Sequence, residues 1–217
     1  MHPVVEAILT TRPIEDILGW ALSDKKHNDA GLITRNPAFS SVPSTISVTS
    51  PLGPSGSTLP KEYSSRKIGG LNLFPTLSWA APNGLQSRIK EWVVVSEDPD
   101  APMPEPIIHG IYFDIDAAKT ELEHEDLKAD IMEEKRCEGG FSYGANRRKE
   151  VYIAPRPIAR HGEHRYIFSV LGLGKRIDWT NVEQEAGEGG VGKEELIKAV
   201  QGKVLSRGEW IGVFERK

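Results

Sequence analysis

The 217-residue chain is 38% apolar and 27% charged, the balance of an ordinary soluble domain with or without an appendage. Its formal net charge of −4 argues against nucleic acid as the main partner, because phosphate backbones are held by clustered cations. The one cysteine, Cys137, excludes an intrachain disulfide and with it a secreted disulfide scaffold, so the cytoplasm is the expected location.

In chain order, residues 1–30 read as helix. No basic region precedes their apolar residues and Glu6 interrupts them, so no signal peptide is expected. No run in the chain approaches the ~20 apolar residues of a membrane span. Pro13 suits a first helical turn, and Ile14, Ile17, Leu18, Ala21 and Leu22 fall at helical spacing, with Trp20 at the border. That stripe is expected to pack on the domain or on a dimer partner. Residues 35–60 are rich in Ser, Thr, Pro and Gly and read as a linker, within which residues 45–50 alternate as an edge strand. Residues 68–82 read as strand and turn, and "EWVVVSED" (91–98) as an apolar strand buried on both faces. "HGIYFDI" (109–115) is a further strand, and residues 121–135 a charged helix or solvated excursion. "EVYIAP" (150–155) and "HRYIFSVLGL" (164–173) read as strands. Residues 192–205 form a short helix with Leu196, Ile197 and Val200 on one face, ended by Gly202. "EWIGVFER" (209–216) is a closing strand. The reading is a mainly β fold, sheet on sheet, with few peripheral helices.

The stretch "SEDPDAPMPEPIIHGIYFDI" (96–115) holds more chemistry than a turn requires. Pro99 and Pro102 restrict φ and push Asp98 and Ala101 toward extended conformations, fixing Asp98 and Asp100 in a rigid loop at a strand end. Asp98 alone also suits an Asx-type turn. His109 follows on an apolar strand, where a histidine is commonly a satisfied core residue. "HGEHRYIF" adds His161, His164, Arg165 and Tyr166 at a second strand start, with alternation placing His164 and Tyr166 on one face and Arg165 on the other. Imidazoles and carboxylates brought together in this way can share protons and bind anions. Arg147, Arg148 and Lys149 read as a solvated turn. No G-x-S-x-G, H-E-x-x-H or C-x-x-C spacing occurs, so neither a serine hydrolase nor a metal site is expected, and no cofactor. "EQEAGEGG" lacks the alternating Asp or Asn ligands of a calcium loop.

"DPDAP" followed by a histidine, and then "GEHRYIF", resembles the paired signature of the phosphatidylethanolamine-binding protein (PEBP) family. "ISVTSP", "LPKEY" and "FPTLSW", with the closing "KEELIKAVQGKVLSRGEWIGVFER", extend the resemblance, to its bacterial-type branch especially, over roughly residues 46–215. The resemblance implies a PEBP-like β-sandwich over residues 46–217, preceded by a helical extension and linker over residues 1–45. It further implies a small pocket built by Asp98, Asp100, Pro102, His109 and His164, with Tyr152 and Tyr166 beside them. The sequence departs from the family where Ile107 and Ile108 precede the pocket histidine. It departs again where "APRPIARHGEHRY" replaces a Gly-rich loop, removing backbone N–H groups open to an anion and bringing in Arg156, Arg160 and His161. Arg156 would then shift recognition toward guanidinium chemistry, which suits carboxylate as well as phosphate.

Two functions follow as expectations. The first is a binding protein for a small anionic or polar ligand, with a protein partner in addition. The second is a cofactor-independent enzyme on the same pocket, a cyclase or isomerase of small-molecule biosynthesis. In that case His109, His164 and Asp98 would supply acid–base chemistry.

Overall fold

A computed structural model describes residues 12–217; the first eleven residues of the helical reading, and the leader argument drawn from them, lie outside this range. Ten strands form two sheets. A three-stranded sheet has the order β1 (Ser47–Thr49), β3 (Leu77–Ala80), β6 (Glu121–Leu122). A seven-stranded sheet has the order β2 (Ser57–Thr58), β10 (Val204–Phe214), β9 (His164–Leu173), β4 (Glu91–Asp98), β5 (Ile107–Asp116), β8 (Phe141–Tyr143), β7 (Arg136–Cys137). The β10–β9–β4–β5 centre is antiparallel throughout. The fold is thus the expected β-sandwich with peripheral helices. Three α-helices lie among the described residues: α1 (Arg12–Ala21), α2 (Trp179–Ala186) and α3 (Lys193–Val200).

The large sheet is covered on both faces, which is why β4 is buried at every position and its sequence does not alternate. One face packs Trp92, Val94, Tyr112, Phe168 and Trp210 against Leu77, Trp79 and Leu122 of the small sheet. The other packs Val93, Val95, Ile111, Phe113 and Leu171 against Trp179, Leu196 and Val200 of the helices and against Ile33 and Phe39 of the N-terminal segment. Two carboxylates are buried in the sheet. Glu91 accepts from Trp179 Nε1 at 3.0 Å, and Glu97 accepts from the Ile33 backbone N–H at 3.0 Å. Burial pushes both up to about 7. Cys137 is buried in the inter-sheet core and burial pushes its thiol up to about 12.

Two expectations are corrected, and one choice between alternatives is decided. α1 ends at Ala21 and turns its polar side inward: Glu15 pairs with Arg216 and Asp16 with Arg160. Gly19 approaches so closely that an added Cβ would stand 1.9 Å from the Ala159 carbonyl oxygen. Ile14, Ile17 and Trp20 consequently face outward. Residues 121–135 take the solvated excursion, not the helix, of the two alternatives: only Leu122 and Leu127 are buried, while Ile131 and Met132 are exposed. "EVYIAP" joins no ladder, since Pro155 and Pro157 have no N–H to give and a single backbone–backbone bond, Ile153 N–H to the His109 carbonyl at 2.8 Å, ties it to β5. No described helix is long and apolar enough to cross a membrane.

Candidate functional site

The ends of β4, β5 and β9 meet at one edge of the sandwich, and the register of β5 places the first side chain. Ser96 pairs with Gly110 but Glu97 with Ile108, so His109 is the extra residue of a β-bulge. Bulges re-aim side chains next to functional sites; this one sets the His109 ring edge-on to Tyr166, with centroids 5.0 Å apart. His109 Nδ1 bonds the Ile153 carbonyl. A carbonyl only accepts, so the hydrogen is on Nδ1 and Nε2 presents a lone pair. That Nε2 is buried without a partner. Burial, aided by the Arg147 and His164 charges, pushes the ring down to about 4 against the pull of Asp98 and the Ile153 bond, so His109 is neutral at physiological pH.

Asp98 closes its own turn. One carboxylate oxygen accepts from the backbone N–H groups of Asp100 and Ala101 at 2.8 and 3.1 Å. The other lies 2.9 Å from His164 Nδ1. His164 Nε2 lies 2.7 Å from His161 Nδ1, and His161 Nε2 lies 2.7 Å from the carbonyl oxygen of Leu22. Arg160 (φ 60°) and Gly162 (φ 89°) flank His161 in the left-handed region and turn its ring back toward His164. All three side chains in this chain are buried. Three contacts require three hydrogens, and two neutral imidazoles carry only two. The set therefore holds one extra proton, balanced by the Asp98 carboxylate. Burial, and then the neighbouring His164, push His161 down; the contacts put one hydrogen on His164 Nδ1 toward Asp98, one on His161 Nε2 toward Leu22, and one between the two rings.

Asp100 faces outward to a different partner. Burial would raise its carboxyl, but the Arg165 guanidinium outweighs this and holds it below the usual range. Arg165 Nε and NH2 each donate to it at 2.8 Å. The outer side of the same guanidinium grips Asp29, both contacts at 3.0 Å. Asp29 belongs to an N-terminal segment that crosses the loop. The His27 N–H donates to Asp100 at 3.1 Å, the Asn28 N–H to the Pro99 carbonyl at 2.9 Å, and Lys26 to the Glu163 carbonyl at 3.0 Å. Pro102, with Pro99, Ala101, Leu22 and Asn28, lines an open groove of about 600 Å³ between segment and loop.

Behind this layer, the Tyr166 and Tyr152 hydroxyls are, like His109 Nε2, buried without hydrogen-bond partners. Burial raises both phenols, so they stand as O–H donors. Arg147 sits on the arch between Gly144, bonded to Ile111, and Ile153, bonded to His109. It makes no hydrogen bond or ion pair among the described residues. Burial lowers its guanidinium, and the charges of Asp98 and Arg156 reach it. Arg156 is half-buried on the same segment.

The structure thus separates the expected residues into two sets. Asp98, Asp100 and His164 are satisfied within the chain, whereas His109, Tyr152 and Tyr166 keep free polar atoms. Sequence reasoning read Arg147 as part of a solvated turn and residues 22–29 as helix, and it passed over the partnership of His161. For His161, a second histidine three residues before His164 was the available signal. Among the described residues no cluster of three or more metal-ligating side chains occurs.

The profile of the phosphatidylethanolamine-binding protein family matches residues 49–215. The chain is 37% identical over 208 residues to phomoidride biosynthesis cluster protein B from a fungal species, covering 93% of this chain and 94% of that one. It is 36% identical over 211 residues to the protein of the same name from Talaromyces stipitatus, covering 95% and 82%. Among solved structures, a phosphatidylethanolamine-binding protein homologue from Chlamydia trachomatis superposes with a TM-score of 0.61 at 26% identity, covering 79% of this chain and 98% of that one.

Proposed function

Because the chain belongs to the phosphatidylethanolamine-binding protein family, we propose that it keeps the family's pocket and uses it on a small oxygen-bearing organic molecule, a carbonyl compound or carboxylic acid, in small-molecule biosynthesis. One observation carries this reading: His109 Nε2, Tyr152 Oη and Tyr166 Oη are three buried polar atoms at one end of the sandwich with no partner in the fold. A buried polar group left unpaired costs about 1–3 kcal/mol, so three together mark a place built for a ligand. Their chemistry sets its class. One lone pair and two hydroxyl donors complement a carbonyl, enol or carboxyl group, and the unpaired Arg147 favours one that bears or develops negative charge.

Turnover follows from the same atoms. His109, neutral and fixed by Ile153, is a base for a proton next to a carbonyl. The Tyr hydroxyls and Arg147 steady the oxygen that becomes negative. The biosynthetic setting is suggested by the relatives at 36–37% identity, whose names place them in phomoidride biosynthesis clusters.

The test is a thermal-shift titration of the full chain and of His109→Leu with keto acids, carboxylic acids and inorganic phosphate. A ligand at ~100 times its Kd should stabilise by about 2.7 kcal/mol. Stabilisation by the organic acids that the variant loses supports the reading. Phosphate alone stabilising both proteins equally refutes it.

A further inference from the structure

His161 lies outside both motifs of the family signature, yet it ends the buried chain that starts at Asp98. Its Nε2–H points at a carbonyl oxygen 2.7 Å away, and that oxygen belongs to Leu22, in a segment laid over the site from outside the sheet. The segment is held by Lys26 on the Glu163 carbonyl, by the His27 and Asn28 N–H groups on Asp100 and the Pro99 carbonyl, and by Asp29 on Arg165. A backbone carbonyl is chemically a ketone-like acceptor. We infer that His161 is the proton-donating catalytic residue of this site, that it serves a ligand carbonyl oxygen, and that the Leu22 carbonyl stands where that oxygen binds. The inference rests on the carbonyl-ligand reading above and assigns its missing acid.

The three hydrogens held along the Asp98–His164–His161 chain supply the step. A proton leaves the carbon next to the ligand carbonyl for His109 Nε2. The C–H electron pair becomes the C=C bond, and the carbonyl π pair moves to oxygen. That oxygen takes the hydrogen on His161 Nε2. The hydrogen between the two rings ends on His161 Nδ1, and His164 keeps its Nδ1–H against Asp98. His109 gains the positive charge that the His161–His164 pair loses, and the ligand leaves as its enol with no net change in charge. His164 and Asp98 act as positioning residues: they reload His161 through a preformed path with no solvent between the rings. The groups whose charge acts on His161 are His164, Lys26 and Asp98; only Lys26 sits on the overlying segment.

Two measurements on the full chain test this. Nitrogen NMR of labelled histidine rings counts N–H hydrogens, and three slowly exchanging signals from His161 and His164 are expected. Two signals would overturn the relay whatever the ligand. The second follows deuterium uptake next to the carbonyl of 2-oxobutyrate in D₂O. It uses wild type and Asp29→Ala, which removes a tether of the segment but none of the groups whose charge acts on His161. Uptake above the buffer rate is expected, faster in the loosened variant. Adding His161→Gln, which still donates a hydrogen bond but cannot pass a proton on, should cut uptake by ~10²-fold or more while 2-oxobutyrate still raises Tm. His161→Phe should lose both responses. Unchanged uptake in His161→Gln and His161→Phe would overturn the proposal. Failure of the keto acid to bind any variant, with three N–H signals present, would instead refute the carbonyl-ligand reading and the catalytic role built on it.

Discussion

Replacing Arg165 with Met separates two halves of one ion-pair cluster by energy. On its inner side the guanidinium meets Asp100, whose side chain is 2% exposed; on its outer side it meets Asp29, 41% exposed. Removing the cation leaves the Asp100 carboxylate with the N–H groups of His27 and Arg165 itself and the exposed His27 ring, whose Nδ1 lies 3.2 Å away. Breaking a buried pair in this way costs about 3–5 kcal/mol. Removing the exposed Asp29 charge, by Asp29→Asn, costs at most about 1 kcal/mol. At this chain length 1 kcal/mol corresponds to about 2–4 °C. Arg165→Met should therefore lower Tm by roughly 6–20 °C and Asp29→Asn by no more than about 4 °C. Thermal denaturation by circular dichroism reads both. Adding Asp100→Asn to Arg165→Met should recover part of the loss, because the stranded charge goes with it. Equal small losses in the two single variants, or strictly additive losses in the double, would refute the assignment of Asp100 as a buried carboxylate dependent on Arg165.

Three further outcomes are expected. His109 is held near 4 in the fold against 6.5 when free, so between those values the unfolded chain binds more protons. Its contribution to stability is whole above pH 6.5 and is lost as pH falls toward 4; His109→Leu should flatten that limb of the Tm-against-pH curve. Glu97 is raised to about 7, so the fold resists its ionisation and stability falls as pH rises from 4.5 to 7. Glu97→Gln, which keeps an acceptor for the Ile33 N–H, should melt higher than wild type at pH 8 and alike at pH 4.5, with Glu91 titrating in both; an unchanged difference across pH would count against the buried charge. Gly19→Leu should lift α1 off the Ala159 carbonyl, and hydrogen exchange should rise over the segment ahead of residue 31 while β4 and β9 stay protected.

The central strands were legible because burial on both faces demands unbroken apolar runs, and "EWVVVSED" and "HRYIFSVLGL" satisfy that demand alone. The extra stretch of β strand expected at "EVYIAP" had the right side chains, but Pro155 and Pro157 have no N–H where the ladder would continue. The reversal of α1 was hidden because Ile14 and Ile17 carry the helical period. What fixes its orientation is a pair of arginines more than 140 positions away and one glycine contact. The same holds for the site. Asp98, Asp100, His109 and His164 stand in local motifs, but the motifs do not say which of their atoms are already bonded. Only the register jump at Ser96 and Glu97 explains why His109 turns to Tyr166, and only the docked segment explains why His161 has a partner. Arg147 looked like a solvated turn because Arg148 and Lys149 stand next to it, and its place over His109 comes from two backbone bonds to β5.

Cys137 has a practical consequence for all of this. It is the sole cysteine of the chain, it is walled into the core, and its thiol is pushed up to about 12; reagents that attack thiolates will pass it by. The native protein is therefore a blank background for thiol labelling. A cysteine placed at the exposed Trp20 or on residue 27 would be the single reactive point on the molecule. A fluorophore there would report, without further engineering, when the overlying segment leaves the sheet edge and when it returns.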